Sequence, residues 1–358
     1  MTAVKYNFID GPFIKIEDGA GPYEVSFIDM TNNTIAYKTE LSAGGWAHGT
    51  IKYYVPWMIK LMNMFNGQIE WYTNNLIDKD VHVYLKSYSL GDTIAWMPYV
   101  ELFRRKHQCN VFCSTNWNRI LRGAYPNIVF IKHSEVPGDA FARYNVDIWH
   151  LPVYWRTVSV QQYAALALGV DSAEVRAKVD ESIIYTSGPK SKYVCIAEHS
   201  STSSTKQWHY PNGWQIIVDY LMQQGYKIIS VAKEGTNLNG VIDASGNNIE
   251  VTMGLLKDCE FFIGLASGLS WLAWALGKKV VMISGFSAPW CEFKEDNYRV
   301  VGQGDCVGCY NDISIINGDS RPCPNNLQCS RLITPDSVIE QIYKLQFDNA
   351  CITTDLID

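Results

Sequence analysis

The sequence has 358 residues, a formal net charge of −6 and 47% hydrophobic residues, a globular composition with room for two or three domains. No run of Lys or Arg supplies a nucleic-acid footprint, though a local basic groove is compatible with the sequence. The start, Met1-Thr2-Ala3-Val4-Lys5, lacks the apolar stretch of a secretory signal, and the most apolar segment, 261–276, is interrupted by Gly264, Ser267, Gly268 and Ser270. No membrane insertion and a cytoplasmic location are therefore expected. In that reducing setting the ten cysteines are expected as thiols or metal ligands and not as disulfides. The 12 Trp and 21 Tyr suit sugar or base stacking, and equally core anchors or a subunit interface.

In chain order, Lys5 to Ile16 reads as strand broken at Gly11-Pro12. Strands Tyr23 to Ile28 and Ile35 to Leu41 flank the turn Thr31-Asn32-Asn33-Thr34. An aromatic-rich run to Leu61 and then Ile69 to Tyr72 complete a small antiparallel β domain over residues 1–78. At Val81 the pattern changes to short buried strands alternating with helices. Strand Val81 to Leu85 precedes helix Thr93 to Lys106, strand Asn110 to Cys113, helix Trp117 to Ala124 and strand Ile128 to Ile131. A second such block begins with strand Tyr193 to Ala197 and continues through helix Asn212 to Gln224 and strand Lys227 to Ala232. It ends with helix Gly254 to Lys257, strand Phe261 to Ile263, helix Ser270 to Leu276 and strand Val280 to Ile283. This predicts an α/β protein with two Rossmann-like lobes, 79–185 and 186–358, facing a cleft. Ligands in such sheets sit at the carboxyl ends of the strands.

Four motifs carry chemistry. Leu90-Gly91-Asp92-Thr93 follows the first strand of the first lobe and presents Asp92 at the mouth of the sheet. There a carboxylate can accept a proton from an attacking hydroxyl, or serve as the N-cap of the helix from Thr93. The turn holding Ser267, Gly268, Leu269 and Ser270 opens a helix after a buried strand, so its N–H groups suit a diphosphate. The hydroxyl-rich stretch from Ser200 to Lys206, with Trp208, follows another strand end, where Lys206 can neutralise a leaving group. Glu292, in a loop after the strand Val280 to Ile283, can bind a ribose or sugar hydroxyl, and equally fits a solvated loop carboxylate.

The fourth motif is Cys306-x2-Cys309-x13-Cys323-x5-Cys329, with Gly308, Gly318, Pro322 and Pro324 between its cysteines. That spacing predicts a metal-clasped finger, with zinc as the ligand-type default and a single iron second. Four thiolates leave no open position, so the finger is structural and no catalytic metal is expected. None of the seven scattered histidines is assigned to a metal.

Together these stretches resemble the bacterial autotransporter heptosyltransferase family. The carrying segments are Leu90 to Trp96, Lys206-Gln207-Trp208 with Asn212-Gly213-Trp214, Phe262 to Trp274, Ile283 to Phe286 and Cys291-Glu292-Phe293. The four cysteines and Arg331 to Pro335 complete the set. The resemblance implies a GT-B glycosyltransferase fold preceded by a β domain, a nucleotide-sugar donor (usually ADP-heptose), one iron in the finger and a homo-oligomer. It implies Asp92 as catalytic base, and Lys206 with the Ser267 to Ser270 turn as the donor diphosphate region. The expected reaction is inverting transfer of the sugar to a protein Ser or Thr hydroxyl. Alternatives keep the same core with another acceptor, a hydroxymethylated phage DNA base or an envelope glycan, or make the protein a non-catalytic glycan-binding scaffold. The acidic net charge counts against DNA.

Overall fold

The computed structural model describes residues 2–135, 137–200, 204–302, 304, 306–314, 323 and 325–354. Seven strands come first: β1 (Ala3–Ile9), β2 (Phe13–Asp18), β3 (Tyr23–Asp29), β4 (Thr34–Leu41), β5 (Trp46–His48), β6 (Trp57–Asn63) and β7 (Ile69–Thr73). The first lobe follows with β8 (Asp80–Leu85), α1 (Leu90–His107), β9 (Asn110–Ser114), α2 (Asn118–Leu121), β10 (Val129–Ile131), β11 (Ala142–Val146) and α3 (Val160–Leu168). The second lobe begins with β12 (Tyr193–Ala197), α4 (Gly213–Gln223), β13 (Lys227–Ser230), β14 (Val241–Asp243), α5 (Ile249–Asp258) and β15 (Phe262–Leu265). It is completed by α6 (Gly268–Ala275), β16 (Val280–Ile283), β17 (Asn297–Val300), α7 (Gln328–Arg331) and α8 (Pro335–Thr354). No helix among the described residues is long and apolar enough to cross a membrane.

The second lobe is a six-stranded parallel sheet of order β14-β13-β12-β15-β16-β17. Its central strands β12, β15 and β16 are buried at every position, because helices cover both faces of a parallel sheet. Strand order reverses between β12 and β15, which opens a crevice beyond Ala197 and Leu265. The first lobe is a seven-stranded sheet of order β10-β9-β8-β11-β1-β2-β5, with the matching reversal at β8 and β11. Both switch points lie at the ends of strands that lead into site loops.

The expected β domain over 1–78 needs correction. Only β3, β4, β6 and β7 form a separate antiparallel sheet, in the order β4-β3-β6-β7. Strand β1 instead pairs in parallel with β11, and β2 and β5 extend the same sheet. The turn at Asp10-Gly11 allows this, since both residues hold positive φ and Arg143 is ion-paired to Asp10.

Helix α1 packs across the lobes on α6. Ser89 caps it, Asp92 lies in its first turn, and Arg104, Arg105, Lys106 and His107 fill its last turn, each complementing the helix dipole. Helix α3 lies between the lobes in the chain, closed at its start by a Ser159–Gln162 capping box and at its end by Gly169 in the left-handed region. It packs on α1, where the Trp96 indole donates to the Val160 carbonyl at 2.8 Å.

Candidate active site

The site assembles where the N-termini of α1 and α6 meet. Gly91 and Gly268 face each other across the lobes: a Cβ on Gly91 would lie 3.0 Å from Trp271 Cδ1 and 3.2 Å from Gly268 Cα. A Cβ on Gly268 would lie 3.1 Å from the Gly91 nitrogen. Glycine at both positions therefore lets the two helix ends approach as backbone against backbone. Asp92 and the Ser267–Gly268 turn become neighbours, and two positive helix ends converge on one region.

Asp92 is not the N-cap. The cap is Ser89, whose hydroxyl accepts from the Asp92 N–H at 3.3 Å, because the helix starts at Leu90, three residues earlier than the sequence pattern suggests. The Asp92 carboxylate instead accepts a 2.7 Å bond from Ser87 Oγ. Two paired phenols lie against the next turn of α1. Tyr163 packs on Trp96, one turn along α1 from Asp92, and its hydroxyl lies 3.4 Å from that of Tyr310. Burial pushes both phenols well above their ordinary pKa, for Tyr310 with the neighbouring Tyr163 next in weight, so both stay protonated.

In the opposite lobe, Ser267 is the N-cap residue of α6 and its side chain makes no capping bond. The Ser270 hydroxyl is engaged: it is fully buried and donates to the Leu265 carbonyl at 2.6 Å, which closes the turn. Leu269 is half-buried against the core. Lys206 ends a short 3-10 turn, Ser204–Lys206, with its ammonium 5.6 Å from the centre of the Phe286 ring. Trp208, by contrast, belongs to the core of this lobe. It is 6% exposed, its indole donates to the Ile333 carbonyl at 2.9 Å, and it packs edge-on to Trp214. The stretch 201–203 lies outside the described residues.

Glu292 is buried in an ion pair with Arg299 at 2.5 Å and accepts from Ser287 Oγ at 2.8 Å. Arg299 also donates to the Ser287 carbonyl at 2.8 Å. With Trp290, Gln162 and Lys294, Glu292 borders a cavity of about 320 Å³. Any sugar hydroxyl reaching Glu292 would join an already bonded carboxylate.

Three features escaped the sequence reading. Glu198 follows β12 at the switch point, is 5% exposed, and accepts from Ser230 Oγ at 2.8 Å through one oxygen, while the other has no hydrogen-bond partner among the described residues. Asp147 follows β11 and holds His150 Nδ1 at 2.7 Å. A cavity of about 650 Å³ beyond β9 and β10 is lined by Arg119, Arg122, Lys132 and His133. A carboxylate after each strand was the available signal, but neither stands in a motif.

Cys306 and Cys309 lie in a loop, with Cys323 before α7 and Cys329 within it. Gly318, Pro322 and Pro324 lie outside the described residues. Burial and the sulfurs of Cys306, Cys309 and Cys323 push the Cys329 thiol up to about 12, and Cys309 is raised by burial, Cys306 and Cys323. Neighbouring sulfurs thus oppose ionisation of Cys309 and Cys329, a conflict that a bound cation would relieve. The Leu327 N–H already donates to Cys323 Sγ at 3.2 Å, as amides do around metal thiolates. No group of three or more His, Cys, Asp or Glu among the described residues is closed tightly enough to hold a metal. The donor set fits a soft, four-thiolate ion, and its geometry is open.

No family model matches the chain. Over 98% of its length and 92% of the other's, it is 33% identical to the autotransporter heptosyltransferase BAHTCr of Citrobacter rodentium. It is 32% identical to the autotransporter heptosyltransferase Aah of Escherichia coli, over 93% of this chain and 90% of that one. Its fold superposes, with a TM-score of 0.87, 30% identity and 96% of both chains covered, on TibC, a dodecameric iron-containing heptosyltransferase in complex with ADP-D-beta-D-heptose.

Proposed function

The chain belongs to the autotransporter heptosyltransferase family and is a GT-B glycosyltransferase, and from that premise we propose that it moves heptose from ADP-heptose to a Ser or Thr hydroxyl of a protein in the cytoplasm by a single inverting displacement. The observation that carries this reading is the abutment of the Asp92 helix end on the Ser267–Gly268 helix end, with glycine at both contacts. On this reading a carboxylate for the acceptor and backbone donors for the diphosphate would share one place.

The acceptor oxygen attacks the anomeric carbon from the first lobe and forms the new C–O bond. Its proton passes to Asp92. The bond from the anomeric carbon to the phosphate oxygen breaks, and its electron pair leaves with ADP. Lys206 and the N–H groups at the start of α6 face the charge that grows on the diphosphate. These groups supply positive potential from the protein itself.

TibC's ADP-heptose complex supports the donor, and its iron favours iron over zinc for the cysteine finger here. Cys306, Cys309, Cys323 and Cys329 would hold that ion, which would supply a structural clasp with no open position for substrate. TibC's dodecameric state supports assembly of this chain into a homo-oligomer. Co-expression with a serine-rich autotransporter passenger fragment, in cells that make ADP-heptose, tests the proposal. Intact mass of the fragment should rise by whole heptosyl units with the wild-type chain and stay unchanged with Asp92→Asn. An unmodified fragment, or equal modification by the variant, would overturn it.

A further inference from the structure

Tyr310 belongs by sequence to the cysteine finger, directly after Cys309, yet its side chain packs away from the cysteines, against Tyr163, Trp155 and Phe286. Its hydroxyl is 3.4 Å from that of Tyr163, which packs on Trp96, one helical turn along α1 from Asp92. Its ring packs at 5.1 Å on Phe286, the ring over which the Lys206 ammonium sits at 5.6 Å. One residue therefore touches both a phenol packed one helical turn from the proposed base and the aromatic support of the proposed diphosphate lysine. The segment is fixed from behind. The buried Arg156 guanidinium donates to the carbonyls of Tyr310 at 2.6 Å and Cys309 at 2.5 Å. The Tyr310 N–H donates to the Phe286 carbonyl at 3.0 Å, and Asn311 bridges the Ala288 N–H and the Arg156 carbonyl.

From this juxtaposition we propose that Tyr310 is a positioning residue, which transmits the order of the cysteine finger to both sides of the cleft: through its hydroxyl to Tyr163 and the base, and through its ring to Phe286 and Lys206. The finger then does more than close the C-terminal lobe. It holds a phenol at the junction of acceptor and donor groups, and Arg156 makes the same junction depend on the segment joining the lobes. The inference rests on the transferase reading above.

The two contacts of Tyr310 separate in an experiment on the full-length, metal-loaded protein. Tyr310→Phe keeps the ring and loses the hydroxyl. It should keep its iron content and its ADP affinity by calorimetry, while single-turnover heptosyl transfer to the passenger fragment slows about three- to tenfold, the scale of one hydrogen bond. Tyr163→Phe should do the same, and the double variant should be no slower than either single one. Tyr310→Leu removes the ring and should also weaken ADP binding severalfold. Wild-type rate and ADP affinity in both Tyr310 variants would overturn the proposal. So would loss of iron from Tyr310→Phe with a rate that tracks the metal-free fraction, since that is a purely structural role. If the wild-type chain transfers no heptose, the transferase reading fails first. ADP binding unchanged in Tyr310→Leu would then also reject the link to Lys206.

Discussion

Replacing Gly91 with alanine sets two physical effects against each other. Alanine favours helix over glycine by up to about 1 kcal/mol, so an isolated α1 would gain. The new Cβ, however, would stand 3.0 Å from Trp271 Cδ1 and 3.2 Å from Gly268 Cα, inside the ordinary carbon contact of about 3.5–4.0 Å. Trp271 cannot turn aside, being 3% exposed and wedged edge-on between Trp274 at 5.6 Å and Phe293 at 5.0 Å. The helix ends must separate by about half an ångström, and overpacking of this kind costs about 1–3 kcal/mol. The net loss of stability should be about 0–2 kcal/mol, within reach of a urea titration. Activity should suffer more. A misplacement of about 1 Å can cost about 100-fold, so half that shift between Asp92 and the donor site predicts a kcat about tenfold lower. A Gly91→Ala protein with kcat within twofold of wild type would refute the idea that this contact sets the catalytic distance.

Other perturbations have equally definite outcomes. Arg299→Met should cost about 3–5 kcal/mol by leaving Glu292 buried without its counter-ion. Adding Glu292→Gln should recover much of that in denaturant melts, and no recovery would mean the ion pair is not the cause. His82 is 1% exposed and burial holds its pKa near 4. The unfolded chain therefore takes up this proton first, and stability should fall as pH drops from about 6.5 towards 4, levelling below that. His82→Asn should make the urea midpoint flatter across that window, whereas an unchanged slope assigns the dependence elsewhere. Cys329→Ser should lower iron content by metal analysis and reduce the melting temperature. Retention of a full iron complement would exclude Cys329 as a ligand.

The parallel strands were legible because burial on both faces leaves uninterrupted apolar runs: Tyr193–Ala197 and Val280–Ile283 appear in the structure with the bounds read from sequence. Helix α8, Pro335–Thr354, was missed, and so was α3, whose apolar run Tyr163-Ala164-Ala165-Leu166-Ala167-Leu168 sits in a stretch read as a connection. The membership of β1 was not legible either. Local alternation is the same whether a strand joins a hairpin or adds to a distant parallel sheet. For the site, small residues after buried strands pointed to Gly91 and to Ser267–Ser270. What those glycines do depends on each other, across 177 residues of chain, and a motif read singly cannot show that. Trp208 shows the converse limit, since an aromatic beside a polar loop is equally at home stacked on a ligand or sealed in a core. Tyr310 was hidden by its neighbours, because the cysteine spacing accounts for the segment without it.

The pairing of β1 with β11 bears on how this chain is made and handled. Phe8 and Ile9 register against Ala142 and Arg143, so the first lobe cannot complete its sheet until more than 130 residues beyond its opening strand have left the ribosome. Until then β1 and β2 wait as an unsatisfied ribbon, with β3, β4, β6 and β7 free to fold locally. Trimming the first nine residues, or threading a rigid fusion partner onto them, would expose the edge of β11 as a row of unpaired backbone groups next to the acceptor side of the cleft. Aggregation during synthesis, and not slow chemistry, would be the first symptom.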